Sequence, residues 1–239
     1  MTLIYGHRGA RGEAPENTLV AFQSCLAHGV RRCELDLHLS RDGQLVVIHD
    51  PTLRRTTGHA GKVAEHTAAD LHSLDARRNG PGYTEPAPIP TLQELFEQCP
   101  FEHWQLEIKS ASRTRAARSV QAVEALARQY GQLDKITVTS SSREVLRALQ
   151  RLTPKLSRGL IAEYDRLDPI KVAKANGCGL LVLYWALCTP ERVARAHRQG
   201  LQVSVWTVNN PELMKRLAAM EVDSIITDYP GLAVRTLAS

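Results

Sequence analysis

The sequence predicts a TIM (β/α)8 barrel with a small insertion after a hairpin on the second strand. Three observations carry that prediction. Eight short apolar segments alternate with stretches that carry helix punctuation; repeated strand–helix units build a parallel sheet, and eight of them close it into a barrel. No GxGxxG or Walker-type loop follows any of these strands, which leaves an open doubly wound sheet without support. The strand ends that would form the C-terminal mouth are polar or charged, after bodies that are apolar. A purely structural sheet does not need that concentration.

The elements follow in order. Leu3–Gly6 is the first strand and runs into His7-Arg8-Gly9. Pro15-Glu16-Asn17-Thr18 opens the first helix, and Gly29 stands where its C-cap would fall. Cys33–His38 is the second strand. Leu45–Ile48 follows too soon for a parallel crossover, which takes a dozen or more residues. Asp42-Gly43 favours a hairpin instead, so this run returns antiparallel and carries His49 back towards the end of the second strand. Residues 51–90, rich in Gly, Pro, Thr and His, are read as the insertion, a small lobe with one short helix. Thr91-x-x-Glu94 and Ser141-x-x-Glu144 match capping boxes around the strands Trp104–Ile108 and Ile136–Thr139. Arg158–Ile161, Leu180–Leu183, Gln202–Trp206 and Ser224–Thr227 complete the eight. Asp168-Pro169, Thr189-Pro190 and Asn210-Pro211 each set a capping residue before a proline at the first helical position, and Gly177 and Gly200 mark C-caps. The 239 residues fit one domain, 1–239, with the insertion inside it.

Composition narrows the function classes. Hydrophobic residues make up 43% and charged residues 23%, which excludes a disordered or fibrous chain. The longest apolar run, Cys178 to Cys188, has 11 residues, short of the ~20 that span a bilayer, and no export signal is visible. Stable membrane insertion is therefore not expected. Five cysteines without CxxC spacing read as reduced, mostly buried thiols of a cytoplasmic protein, most simply as five core residues. The net charge of +5 is a mild bias towards anions. There is no basic tail, zinc-finger spacing or aromatic RNP pattern, so a small phosphate-bearing substrate is expected rather than nucleic acid.

The expected mouth gathers the chemistry. Glu34 and Asp36, two apart in a strand, point to one side, between apolar Cys33, Leu35 and Leu37. Glu107 on the neighbouring strand makes a third acid. Buried carboxylates need a counter-charge; they either pair with arginines or hold a metal. Three oxygen donors without nearby sulfur favour a hard divalent ion, Mg²⁺ or Ca²⁺. His7 and His49 are candidate acid and base beside them, against the alternative of ordinary core histidines. Arg8 and Lys109 supply positive charge suited to a phosphate. Together these groups describe phosphodiester cleavage, with one histidine deprotonating the nucleophile and the other protonating the leaving alkoxide. Trp206 is either a wall of the substrate pocket or core packing. Glu16 is either a favourable acid at a helix N-terminus or a group that orients His7.

These residues resemble the glycerophosphodiester phosphodiesterase family. His7-Arg8-Gly9, Pro15-Glu16-Asn17-Thr18, Glu34-Leu35-Asp36, His49-Asp50-Pro51-Thr52, Glu107-Ile108-Lys109, Trp206-Thr207-Val208-Asn209 and Thr227-Asp228-Tyr229-Pro230 stand in that family's order over essentially the whole chain. The resemblance implies a TIM barrel of the cytosolic bacterial type with an insertion after the second histidine. It implies hydrolysis of glycerophosphodiesters to sn-glycerol 3-phosphate and an alcohol, with His7 and His49 as the acid–base pair. Glu34, Asp36 and Glu107 would hold Mg²⁺ or Ca²⁺. Arg8, Lys109, Trp206 and Glu16 would serve the substrate, Arg8 and Lys109 at the phosphate and Trp206 on the glycerol. A lysophospholipase D-like or sphingomyelinase D-like lipid activity is the alternative on the same residue set. One departure stands out: the family often has Ser-Phe after the strand matching Ile136–Thr139, where this chain has Ser140-Ser141-Ser142. The missing aromatic predicts a wider or more polar wall there.

Overall fold

A computed structural model describes residues 2–110, 112–164 and 166–238. Nine strands lie in one sheet: β1 (Leu3–His7), β2 (Arg32–Leu39), β3 (Leu45–Val47), β4 (His103–Ile108), β5 (Ile136–Ser140), β6 (Ser157–Ala162), β7 (Leu180–Tyr184), β8 (Gln202–Trp206) and β9 (Ser224–Thr227). Their order is β1-β9-β8-β7-β6-β5-β4-β2-β3, and β1 also pairs with β2, which closes eight parallel strands into a barrel. Only β3 is antiparallel; it pairs Leu37 with Val47 and Leu39 with Leu45 of the hairpin. Each barrel strand falls within a residue or two of its expected place, because each apolar run is bounded by charged or glycine-containing turns.

The outer layer is α1 (Leu19–Ala27), α4 (Leu92–Gln98), α5 (Arg113–Gln129), α6 (Arg143–Leu152), α7 (Pro169–Ala175), α8 (Pro190–Arg198), α9 (Pro211–Ala219) and α10 (Pro230–Leu237); the insertion holds α2 (Arg54–Thr57) and α3 (Ala68–His72). Local chemistry explains most starts. The side chains of Thr18, Thr91, Asp168, Thr189 and Asn210 each accept a hydrogen bond from a backbone N–H two or three residues on. Gly29, Gly177 and Gly200 take positive φ just past α1, α7 and α8. Three expectations shift. Glu16 lies two residues before the Thr18 cap, so Pro15–Asn17 form a turn rather than the first helical residues. The α6 cap is Ser142 without a side-chain bond, so Ser141 and Glu144 do not make a capping box. The insertion carries two short helices and a 3-10 turn at Val63–Glu65, not one helix.

Strand parity divides the packing. Leu35, Leu37, Leu106, Ile108, Val138, Leu181, Val203 and Val205 face outward and join helix residues such as Phe22, Leu95 and Val120 in the main core. Tyr5, Leu180, Val182 and Ile226 fill the interior of the barrel, with Ile161 and Trp206 against them. Val46, Ile48, Leu53, Val63, Leu71, Ala76 and Ile89 form a second cluster that seats the insertion on the hairpin. Four of the five free cysteines are buried and Cys188 is half-buried, a small correction to five core thiols. Among the described residues no helix is long and apolar enough to cross a membrane.

Candidate active site

Sheet register assembles the site. The β1–β2 pairing sets His7 beside Glu34, and the β2–β4 pairing sets Asp36 beside Glu107. All four side chains have the parity that points into the barrel mouth. The antiparallel β3 returns His49 to the same end, as the hairpin argument requires. A cavity of about 350 Å³ opens there, with His7, Arg8, Glu34, His49, Glu107 and Lys109 on one half of its wall. Sequence candidates from four separate segments thus converge.

Each histidine is tethered by a carboxylate. His7 Nδ1 donates to Asp228 Oδ1 at 2.6 Å, and Asn209 Nδ2 donates to Asp228 Oδ2 at 2.7 Å. His49 Nδ1 donates to Asp50 Oδ1 at 2.6 Å. His7 keeps Asp228 below the usual carboxylate range, and Arg55 and His49 hold Asp50 at about 2, in both cases against the opposing effect of burial. The ionised partners therefore fix the proton on Nδ1 and leave Nε2 bare. Burial lowers the pKa of both imidazoles, so both are neutral at rest. Nε2 of His7 lies 3.9 Å from Glu34 Oε2.

The three acids fit a hard divalent ion. Oxygens of Glu34, Asp36 and Glu107 lie within 4.8 Å of one another. Two oxygens on one ion stand at most twice the ion–oxygen distance apart, about 4–5 Å for Mg²⁺ or Ca²⁺. Burial and repulsion from Asp36 push Glu107 up to about 7 and Glu34 well above the usual carboxylate range. Arg8 and Lys109 hold Asp36 ionised in spite of its burial. Asp36 Oδ1 is buried without a hydrogen bond among the described residues; Lys109 Nζ, 3.3 Å away, is a charge contact only. Three close acids, two of them resisting ionisation and one with an unsatisfied oxygen, are what a cation relieves.

Arg8 and Lys109 line the cavity beside these acids. Arg8 reaches Glu16 at 2.8 Å and Asp36 at 3.0 Å; Lys109 reaches Glu107 at 2.7 Å. The main chain is shaped for this. Arg8 and Asn17 both hold positive φ, Asn17 N–H donates to Arg8 O at 3.0 Å, and Asn17 Nδ2 donates to Asp36 Oδ2 at 2.9 Å. Glu16 does not touch His7. It is buried among Arg8, Arg11 and Arg55; burial pushes its carboxyl up, but the hydrogen bonds from Arg55 and the charges of Arg8, Arg55 and Arg11 together outweigh that and bring it to about 2. The sequence reading of Glu16 as an orienter of His7 is corrected: that partner is Asp228, and Glu16 orients Arg8.

The rest of the wall is Gln105, Thr139, Ser141, Ile161, Glu163, Val182, Trp206 and Ile226. Ser141 occupies the side where an aromatic was expected to be missing, so the wall is polar there. Ser140 turns away and donates to Ile108 O at 2.7 Å. Trp206 stands edge-on to Tyr184, 5.8 Å between ring centres, so it is both barrel packing and pocket wall. Sequence reasoning passed over the partners Asp228, Asp50, Asn17, Asn209 and Arg55. The first two stood as charges at strand ends; Arg55 and Asn17 carry no periodic signal, and only tertiary proximity reveals them.

A sequence profile of the Glycerophosphoryl diester phosphodiesterase family matches residues 7–232. A glycerophosphodiester phosphodiesterase of Caldanaerobacter subterraneus subsp. tengcongensis is 32% identical over 231 residues, covering 96% of this chain and 95% of its own length. Among solved structures, a Silicibacter pomeroyi DSS-3 protein superposes with a TM-score of 0.91 at 33% identity, covering 100% of this chain and 93% of its own. An Oleispira antarctica phosphodiesterase in complex with the product sn-glycerol-3-phosphate superposes at 0.89 with 25% identity, covering 100% and 98%.

Proposed function

The chain belongs to the glycerophosphoryl diester phosphodiesterase family, and on that footing we propose that it hydrolyses glycerophosphodiesters to sn-glycerol 3-phosphate and an alcohol in a reaction that needs a divalent metal. The observation that carries the reading is the meeting of two carboxylate-tethered histidines, three acids and two cations on one cavity wall. Glu34, Asp36 and Glu107 would hold Mg²⁺ or Ca²⁺, which when bound supplies positive charge to the phosphoryl oxygens. Arg8 offers a planar fork and Lys109 a point charge to the same oxygens. One of His7 and His49 takes the proton of the attacking hydroxyl at Nε2, and the other, once it has taken up a proton from solvent at Nε2, donates it to the leaving alkoxide. Asp228 and Asp50 steady the imidazolium, which forms on the base as it takes its proton and stands on the acid before it gives its own. Trp206 packs on the carbon side of the glycerol. The attacking hydroxyl belongs to water or to C2 of the glycerol; a substrate lacking the 2-hydroxyl turns over normally only on the water route. The unpaired thiols support a reducing, cytoplasmic setting.

The test is a substrate panel with glycerophosphocholine and glycerophosphoethanolamine. His7→Ala and His49→Ala should each lower kcat by about 10²–10⁴-fold. A variant with near-wild-type kcat removes that histidine from the mechanism. Exposed Tyr164, Leu167 and Trp185 follow β6 and β7, and they favour a second reading, a lysophospholipase D-like action on single-chain lipids. Lysophosphatidylcholine in the same panel, with co-sedimentation on phosphatidylcholine vesicles, separates the two.

A further inference from the structure

Arg55 joins two halves of the site that come from different parts of the chain. Its guanidinium makes four hydrogen bonds. Nε and Nη2 reach Asp50 Oδ2 and Oδ1 at 2.7 and 3.1 Å; Nη1 and Nη2 reach Glu16 Oε2 and Oε1 at 2.9 and 2.7 Å. Each carboxylate has a second duty. Asp50 Oδ1 also accepts from His49 Nδ1, and Glu16 Oε1 also accepts from Arg8 Nη1. The result is an unbroken path, His49–Asp50–Arg55–Glu16–Arg8, between two groups that line the cavity. We infer that Arg55 is a positioning residue that sets His49 and Arg8 relative to one another, an inference that rests on the proposed hydrolysis.

The insertion supplies the rigidity this needs. Arg55 sits in α2, a single turn flanked by fully buried Leu53 and containing buried Thr56. Thr56 O accepts from Arg78 N–H at 3.0 Å, and α2 ends at Gly58 with φ +82. The first turn of the insertion thus delivers one planar cation to two carboxylates. Only a fork can serve both at once; a lysine is a point charge and must choose. Without Arg55, Asp50 keeps His49 as its side-chain partner, whereas Glu16 keeps Arg8 and Arg11. His49 should suffer more.

The experiment combines kinetics with histidine NMR on the full chain. Against wild-type turnover of glycerophosphocholine, Arg55→Gln and Asp50→Asn should each lower kcat at least about tenfold, as partners that orient a site residue do. The double variant should fall no further than the worse single one, within a factor of about two. Arg55→Lys should stay well below wild-type kcat although it folds and keeps the charge. In ¹⁵N-histidine spectra, which need no substrate, wild-type His49 should show a protonated Nδ1 and a bare Nε2, and Arg55→Gln should mix the two tautomers. Multiplying losses in the double variant, wild-type kcat in Arg55→Lys, or an unchanged His49 tautomer in Arg55→Gln would overturn the inference. A wild type that turns over no diester but whose His49 responds to Arg55→Gln fails the proposed function and leaves the positioning role standing.

Discussion

Asp228 gives His7 its usable form. It is ionised, it fixes Nδ1–H, and Asn209 holds its other oxygen. Asp228→Asn would set an amide against His7 Nδ1 and invert the tautomer. It should reduce kcat by about 10²–10⁴-fold with KM little changed; steady-state kinetics decides, and a loss below tenfold speaks against His7 as a proton carrier. At this scale the primary candidates were legible because strand parity sets Glu34 with Asp36 and apolar neighbours signal burial. Their partners were not. Asp228 is 221 residues from His7, and no local pattern records that contact. Glu16 shows the same limit: its acid at a turn looked like a helix cap, and only tertiary structure surrounds it with three arginines.

At the scale of elements, the turn after β1 and the foot of β4 make separate predictions. Gly9 has φ +84, and a Cβ there would come within 2.5 Å of the Ala21 backbone carbonyl carbon in α1. Gly9→Ala should destabilise by at least about 2 kcal/mol, from the left-handed backbone and from backbone that cannot yield. For a chain of this size that is a fall of roughly 4–8 °C in Tm, readable by thermal melting. His103 begins β4, where Nδ1 meets Tyr5 Oη at 3.0 Å and Nε2 meets Thr137 Oγ1 at 3.3 Å. Burial, with Arg32 nearby, lowers its pKa to about 4 from the ordinary 6.5. Below pH 6.5 the unfolded chain binds a proton that the folded one refuses, so stability is full above 6.5 and declines as pH falls towards 4, by at most about 3 kcal/mol. Urea unfolding at pH 7 and pH 5 should show the decline, and His103→Gln should flatten it; an unchanged slope in the variant would assign the pH dependence to other groups. Strands and most caps were legible because they are local. The extra insertion helix was not, since α2 and α3 are held by the cluster around Val46 and Ile48 rather than by their own periodicity.

The whole molecule is a barrel whose register, not its overall charge, builds the site. The net +5 is modest, whereas Arg8 and Lys109 are placed against three acids that a divalent cation would relieve. The barrel itself was readable from eight apolar runs, because each must be short, buried and followed by a helix. What joins the barrel to the insertion, the Arg55 path, depends on tertiary contact and was not. The central claim is that this mouth cleaves a glycerophosphodiester on the alcohol side with a divalent metal. The most direct measurement is ³¹P NMR of glycerophosphocholine incubated with metal-depleted protein, before and after adding Mg²⁺ or Ca²⁺. No reaction is expected without metal, and conversion to sn-glycerol 3-phosphate once it is restored. Equal turnover in the metal-depleted protein, or phosphocholine as the product, would contradict it.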